Sequence, residues 1–270
     1  MNSIIGRTLF TALVLALLCV VFSGCVQTQN HSTKQMIAKS DKILRVGVST
    51  NAPPLAYKQG DTLTGLEIDF AGQLGAFLDK DIHFVELKWD DQIAALENGN
   101  IDIIMSGMTI TSSRSYRVAF SKPYLRSGQV FLVRLDDAKK YSDGIYSIMG
   151  SNPVIGTISG TVGDYYISKT VAKADIKNFS TSTKAVNALL EGQIDVFVHD
   201  APIICHFAAI NEANKLVPIL KMGTEEYLAW AVSKDDTTLL ENINRFITTK
   251  SQNGQLQATT TKWIPFLMRQ

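Results

Sequence analysis

Residues 101–114 read IDIIMSGMTITSSR, and their reading decides the fold. Ile101, Ile103, Ile104 and Met105, interrupted only by Asp102, predict a short buried strand of a parallel sheet. Ser106, Gly107, Thr109 and Thr111 end that strand and open a helix; Thr111 suits the N-cap, which puts Arg114 in the first turn. Free backbone N–H groups, hydroxyls and a guanidinium then converge at the C-terminal end of a strand. That is how an α/β protein builds a seat for a small anion such as a carboxylate.

Part of this stretch occurs twice. Residues 95–107 read ALENGNIDIIMSG and residues 188–200 read ALLEGQIDVFVHD, which align without a gap: Gly99 with Gly192, Ile101 with Ile194, Asp102 with Asp195. Each copy predicts the end of an amphipathic helix, a glycine stop and a buried strand. A spacing of 188 − 95 = 93 residues is too long for a solenoid repeat and suits two similar lobes. The first copy ends in Gly107 and the second in Asp200. Facing lobes would bring Arg114 from one side and Asp200 from the other to a single cleft, a pair that suits a zwitterion. Asp102 and Asp195, at the strand starts, are expected to be structural.

The first 24 residues read as a targeting segment. Arg7 is the sole charge before an apolar run over residues 9–22, which ends in Ser23-Gly24-Cys25. The sequence FSGC resembles a bacterial lipobox, with Phe22 in place of the usual aliphatic residue; the resemblance implies cleavage before Cys25 and acylation of its sulfur. Residues 25–42 are then a lipidated cysteine and a polar, flexible tether, with His31 solvated.

With 26 basic and 25 acidic residues, the composition argues against nucleic acid or an anionic membrane surface as the main partner. Of the three cysteines, Cys19 and Cys25 fall in the signal and at the lipid site. Cys205 stands alone in the apolar segment PIICHFAAI as a buried thiol, so no intramolecular disulfide is expected. Without clustered His and Cys, neither a metal site nor a cofactor is expected.

Along the chain, residues 43–48 predict a first strand and residues 55–63 a hairpin. A helix over 65–79, a strand over 82–87, Trp89 opening a loop and a helix over 92–97 follow. Residues 119–124 read as irregular and residues 129–133 as a strand crossing into a second lobe. There the α/β pattern repeats: strand 153–157, turn Ser159-Gly160-Thr161, helix to Lys169, strand 176–179, helix 183–191 and strand 196–200. Residues 228–232 predict a return strand, and helices over 237–249 and 256–263 pack back on the first lobe. The expectation is a two-lobed α/β fold with a mostly parallel sheet in each lobe. Lobe 1 takes residues 43–127 and 228–270, lobe 2 takes 128–227, and hinge crossings fall near 127–131 and 225–229.

The run GMTITSSR followed by VAFSKPY, with SGT and HD in the second half, resembles the periplasmic solute-binding proteins of family 3, the polar-amino-acid receptors of ABC importers. The resemblance spans residues 43–265. It implies a type II-like periplasmic-binding fold, capture of an amino acid between lobes, permease partners and no enzymatic activity; a monomer is expected. By position, it implies that Arg114 holds the ligand carboxylate as a bidentate pair, with Thr109 offering N–H and hydroxyl and Gly107 its carbonyl. Gly160, Thr161 and Val162 would bring backbone N–H groups, Asp200 would take the ammonium, and Trp89 would form the aromatic wall. Where relatives often carry an acidic residue and an aromatic, this chain has Ser49 and Ala52; where Lys can stand, it has Ile158. A neutral or moderately apolar amino acid therefore fits better than arginine, with Tyr57 and Glu226 left to supply polarity. Rival readings are a ligand sensor with the same binding chemistry and a dehydratase of the same fold. The dehydratase needs an acid or base in the cleft, for which His199 and Asp200 are the only suggestive pair.

Overall fold

Residues 41–171 and 173–265 are described by the structure, a computed structural model. The signal segment, Cys19, the lipid site at Cys25, and His31 lie outside the described residues. The near-continuous apolar run Ile43–Val48 forms β1, buried over most of its length. Three short antiparallel strands follow, β2 (Asn51–Ala52), β3 (Ala56–Gln59) and β4 (Thr62–Thr64), so the expected hairpin gains a strand. Gly65 then turns the chain at φ +127, where a Cβ would stand 2.3 Å from the Leu55 carbonyl oxygen. It opens α1 (Leu66–Leu78), which leads to β5 (Asp81–Glu86), a single turn at Trp89–Asp91, α2 (Gln92–Glu97), β6 (Ile103–Ile104) and α3 (Ser112–Arg117).

The next elements are β7 (Ala119–Phe120), β8 (Leu125–Ser127), β9 (Gln129–Arg134), α4 (Ile145–Ser151), β10 (Val154–Ile158) and α5 (Val162–Thr170). After them come β11 (Asp175–Phe179), α6 (Ser182–Leu190), β12 (Val196–Asp200), α7 (Ala201–Ile210), β13 (Leu216–Ile219), β14 (Glu226–Leu228) and β15 (Ala231–Val232). Two helices close the described chain, α8 (Thr237–Gln252) and α9 (Gln255–Trp263).

The strands form two five-stranded sheets, in the orders β5-β1-β6-β15-β7 and β11-β10-β12-β9-β13. The fold is two-lobed α/β. The sheets are mostly parallel, as expected, with one reversed strand in each. In each sheet a βαβαβ unit supplies three parallel strands; β15 in the first and β9 in the second run against them, and the outer strands β7 and β13, antiparallel to these, run with the majority. The reason is the crossing of the chain: β15 enters the first sheet only after the second is built, and β9 runs into the second sheet against β12. Between the sheets, β8 and β14 pair as an antiparallel ribbon. The predicted return strand is two pieces, because Ala229 and Trp230 leave the ladder and Trp230 turns into the core. Its ring is fully buried, stacked 5.1 Å from Tyr124 and meeting Phe70 edge-on at 5.6 Å. Helices α8 and α9 pack on α1 through Phe77 and Phe246 and through Trp263, whose Nε1 donates to Asp69 Oδ2 at 2.7 Å.

The duplicated sequence makes a duplicated joint. Asp102 Oδ2 accepts the backbone N–H of Arg45 on β1 at 2.8 Å, and Asp195 Oδ2 accepts that of Val154 on β10 at 2.9 Å. An arginine crosses each joint: Arg45 to Asp102 at 2.7 Å and Arg134 to Asp195 at 3.1 Å. In each copy an aspartate thus ties one strand's start to the next.

Candidate functional site

The loops at the C-terminal ends of both parallel strand sets face one cavity of about 560 Å³. From the first sheet's side it is lined by Ser49, Ala52, Trp89, Gly107, Thr109 and Arg114; from the second's by Ile158, Thr161, Val162, Phe179, His199 and Asp200. Among the described residues, no group of three or more His, Cys, Asp or Glu side chains could hold a metal ion.

Arg114 is aimed by its helix. Thr111 Oγ1 accepts the Arg114 N–H at 3.2 Å, the N-cap bond expected from the sequence. The guanidinium crosses the cleft: Nη1 donates to the Thr109 carbonyl at 3.0 Å and Nη2 to the Gly160 carbonyl at 3.3 Å. It lies 5.2 Å from the centroid of the Trp89 ring, whose Nε1 also donates to the Gly160 carbonyl, at 3.1 Å. Burial pulls the guanidinium pKa below its ordinary value, and the nearby Asp200 and Glu226 oppose the shift.

Gly107 needs its left-handed backbone, φ +69, to end β6; its N–H donates to Glu67 Oε1 at 2.6 Å beneath the cavity. The Thr109 hydroxyl donates to Glu226 Oε2 at 2.8 Å, so its proton is engaged there. Ser49 donates its N–H to Ser106 Oγ at 2.9 Å. On the other side, Thr161 caps α5, accepting the Asp164 N–H at 3.3 Å and donating to the Ile158 carbonyl at 2.7 Å.

Two expectations change in this state. The Gly160 N–H is held by Asp164 Oδ2 at 3.3 Å and the Thr161 N–H by the Ile158 carbonyl at 3.2 Å, so of the three amides only Val162 has no partner among the described residues. Gly160 is not a lining residue; its carbonyl is the group presented to Trp89 and Arg114. Tyr57 is also outside the lining. Its ring packs 6.0 Å from His206 and 6.4 Å from Trp263, because β3 points it toward α7 and α9.

Asp200 ends β12 at the N-cap of α7, yet makes no side-chain capping bond. Its carboxylate accepts instead from Gln129 Nε2, and its backbone N–H donates to His199 Nδ1 at 2.7 Å. Burial pushes the Asp200 pKa up to about 7, with the Glu226 charge adding to the rise and Gln129 and Arg114 opposing it. Burial alone pushes His199 down to about 4, so the ring is neutral. Gln129, which sequence reasoning missed, is buried at the start of β9. The signal was there: it is the one polar residue opening the apolar run QVFLV. Glu67 gave no such signal on its helix. It is fully buried and accepts from Trp230 Nε1 at 2.8 Å and from the Tyr124 hydroxyl.

The family model for bacterial extracellular solute-binding proteins, family 3, matches residues 44–266. The chain belongs to that family. Among its relatives, the L-cystine-binding protein TcyJ of Escherichia coli (strain K12) is 28% identical over 228 residues, 82% of each chain. Among solved structures, an ancestral amino acid-binding protein described as a precursor of cyclohexadienyl dehydratase superposes with a TM-score of 0.76. It is 31% identical and matches 83% of this chain and 95% of its own. A binding component of an ABC transporter from Wolinella succinogenes, complexed with lysine, gives 0.77 at 29% identity, with 83% and 96% matched. Family 3 proteins are by description extracellular, and no helix among the described residues is long and apolar enough to cross a membrane.

Proposed function

We propose that this chain is an extracytoplasmic receptor that captures a zwitterionic amino acid between its two lobes and hands it to an ABC importer. The observation that carries the reading is the opposition of Arg114 and Asp200 across one cavity, with the Asp200 carboxylate left free of the helix cap beside it. Arg114 would exchange its two carbonyl partners for the ligand carboxylate, a planar fork meeting a planar acceptor. The Val162 N–H would add a second-lobe donor, the Gly107 carbonyl and Asp200 would take the ammonium, and Trp89 would cover the ligand. Ala52, Leu55, Ile158, Phe179 and Ile203 make the lining suited to a neutral or moderately apolar side chain, with Ser49 and Asn178 for polarity.

Lobe 1 would comprise residues 43–127 with 228–270 and lobe 2 residues 128–227, closing about the β8–β14 ribbon. Cys25 would carry the lipid anchor, the chain would act as a monomer, and its partner would be the permease. The relatives, an L-cystine-binding protein and a lysine complex among them, support amino-acid capture over catalysis. Isothermal titration with amino acids and with their deaminated acids tests the site: Asp200→Asn should weaken amino acids and spare simple carboxylates. Equal loss for both would remove the ammonium role.

A further inference from the structure

One chain of hydrogen bonds runs from lobe to lobe through the ribbon. The Thr109 hydroxyl donates to Glu226 Oε2 at 2.8 Å, and Gln129 Nε2 donates both to Glu226 Oε1 at 2.9 Å and to Asp200 Oδ1. Thr224 Oγ1 also donates to Glu226 Oε1, at 2.6 Å. Two buried carboxyl groups, 5% and 7% exposed, thus touch a single amide nitrogen. Two negative charges so close, away from water, are not both carried cheaply; one proton is retained by the pair. The donors decide where it sits. Three reach Glu226 and one reaches Asp200, so the proton belongs on Asp200.

The other groups facing Asp200 do not remove it. Arg114, from α3, directs its N–H groups to carbonyls rather than to either carboxylate. His199, on Asp200's own strand, is neutral and 3.9 Å away. Tyr124, from the approach to β8, holds its hydroxyl proton against Glu67. Lys88 and Asp90 line the cavity from the turn after β5, on exposed chain.

We propose that Glu226 is a positioning residue that keeps a proton on Asp200 in the empty cleft, so that capture of a ligand ammonium expels that proton to solvent. The inference rests on the ammonium role given to Asp200 above. The step balances: the Asp200 O–H breaks, the proton goes to water, and the carboxylate left behind is neutralised by the arriving –NH₃⁺. The protonation range fits, since burial and the neighbouring Glu226 charge push the Asp200 carboxyl up to about 7. Glu226, behind Thr109 and Gln129, does not line the cavity.

The test uses the full chain, stripped of ligand by unfolding and refolding, with ¹³C-labelled aspartate carboxyls followed by NMR. One resonance should titrate near neutrality, vanish in Asp200→Asn and move to lower pH in Glu226→Gln. Glu226→Ala, which removes the same charge, serves if Glu226→Gln does not fold. An ordinary carboxylate titration for Asp200, or one unmoved by loss of the Glu226 charge, overturns the proposal. Calorimetry in two buffers of different ionisation enthalpy, with any amino acid that binds, should then show close to one proton released at pH 6 and roughly tenfold tightening between pH 6 and pH 8. Both effects should shrink in Glu226→Gln; a pH-independent affinity would refute the coupling. Because the titration needs no ligand, a chain that binds no amino acid sinks the receptor reading alone. An ordinary Asp200 titration with normal amino-acid binding sinks this inference alone.

Discussion

Replacing the two repeat aspartates one at a time should separate them sharply, although their sequences align and their backbone bonds match. Asp102 and Arg45 have side chains 9% and 6% exposed, and Asp102 takes the Arg45 backbone N–H, Nε at 3.1 Å and Nη2 at 2.7 Å. Asp102→Ala strands a buried guanidinium, which keeps a bond to the Gly99 carbonyl at 2.7 Å. Breaking one side of a buried pair costs about 3–5 kcal/mol, so roughly 6–20 °C in Tm is expected for a chain of this size. At the second joint, Arg134 and Asp195 are 28% and 35% exposed, and Arg134 keeps Asp137 at 2.9 Å. Asp195→Ala should therefore lose about 1–2 kcal/mol, mostly the bond to the Val154 N–H. Thermal unfolding of both variants beside the wild type is the assay. Equal losses, or a larger loss at Asp195, would refute the argument from burial.

Three further outcomes follow from the same geometry. Gly65→Ala should destabilise far more than Gly60→Ala in urea unfolding, since a Cβ at Gly65 meets backbone oxygen at 2.3 Å while one at Gly60, φ +61, meets nothing within 4 Å. Gly60→Ala should cost only about 1 kcal/mol of left-handed strain; similar midpoints would contradict this. In the empty protein the Asp200 pKa is raised to about 7, so its contribution to stability is present below the ordinary 3.8 and is lost as pH climbs to 7. Asp200→Asn should thus gain on the wild type as pH rises from 4 to 7. His199, lowered to about 4 from 6.5, contributes above 6.5 and loses that as pH falls through 4. His199→Gln should gain on the wild type over that fall, and like-signed trends in the two variants would contradict the assignments. Trp89→Ala should leave folding nearly intact, because the ring is half-buried at the cleft, while weakening ligand affinity about tenfold by calorimetry. An unchanged affinity would remove Trp89 from the site.

What the sequence revealed was what neighbours in the chain determine. The Thr111 cap and Arg114 lie three residues apart, and the Gly-Ile-Asp steps carry their own helix stop and strand start. The duplication then supplied the second lobe. What stayed hidden depends on segments far apart: Gln129 meets Glu226 across 97 residues, and Glu67 meets Trp230 across 163. The reversed strands β9 and β15 take their direction from chain crossings that no local pattern records. Tyr57 misled for a related reason. Its place on β3 was legible, but the rings of His206 and Trp263 that draw it from the cavity come from elements that only the fold brings near.

The central claim is that Arg114 and Asp200 seat an amino acid, and a thermal-shift screen tests it most directly. The refolded, ligand-free chain would be heated with each of the twenty amino acids and a panel of organic acids and amines, beside Arg114→Ala. A ligand at a hundred times its dissociation constant stabilises by about 2.7 kcal/mol, several degrees in a fold of this size. The account predicts a shift with one or a few amino acids that disappears in Arg114→Ala, whose own melting temperature stays close to that of the wild type. The same shift surviving in Arg114→Ala, or one given only by molecules lacking either a carboxylate or an ammonium, would contradict it.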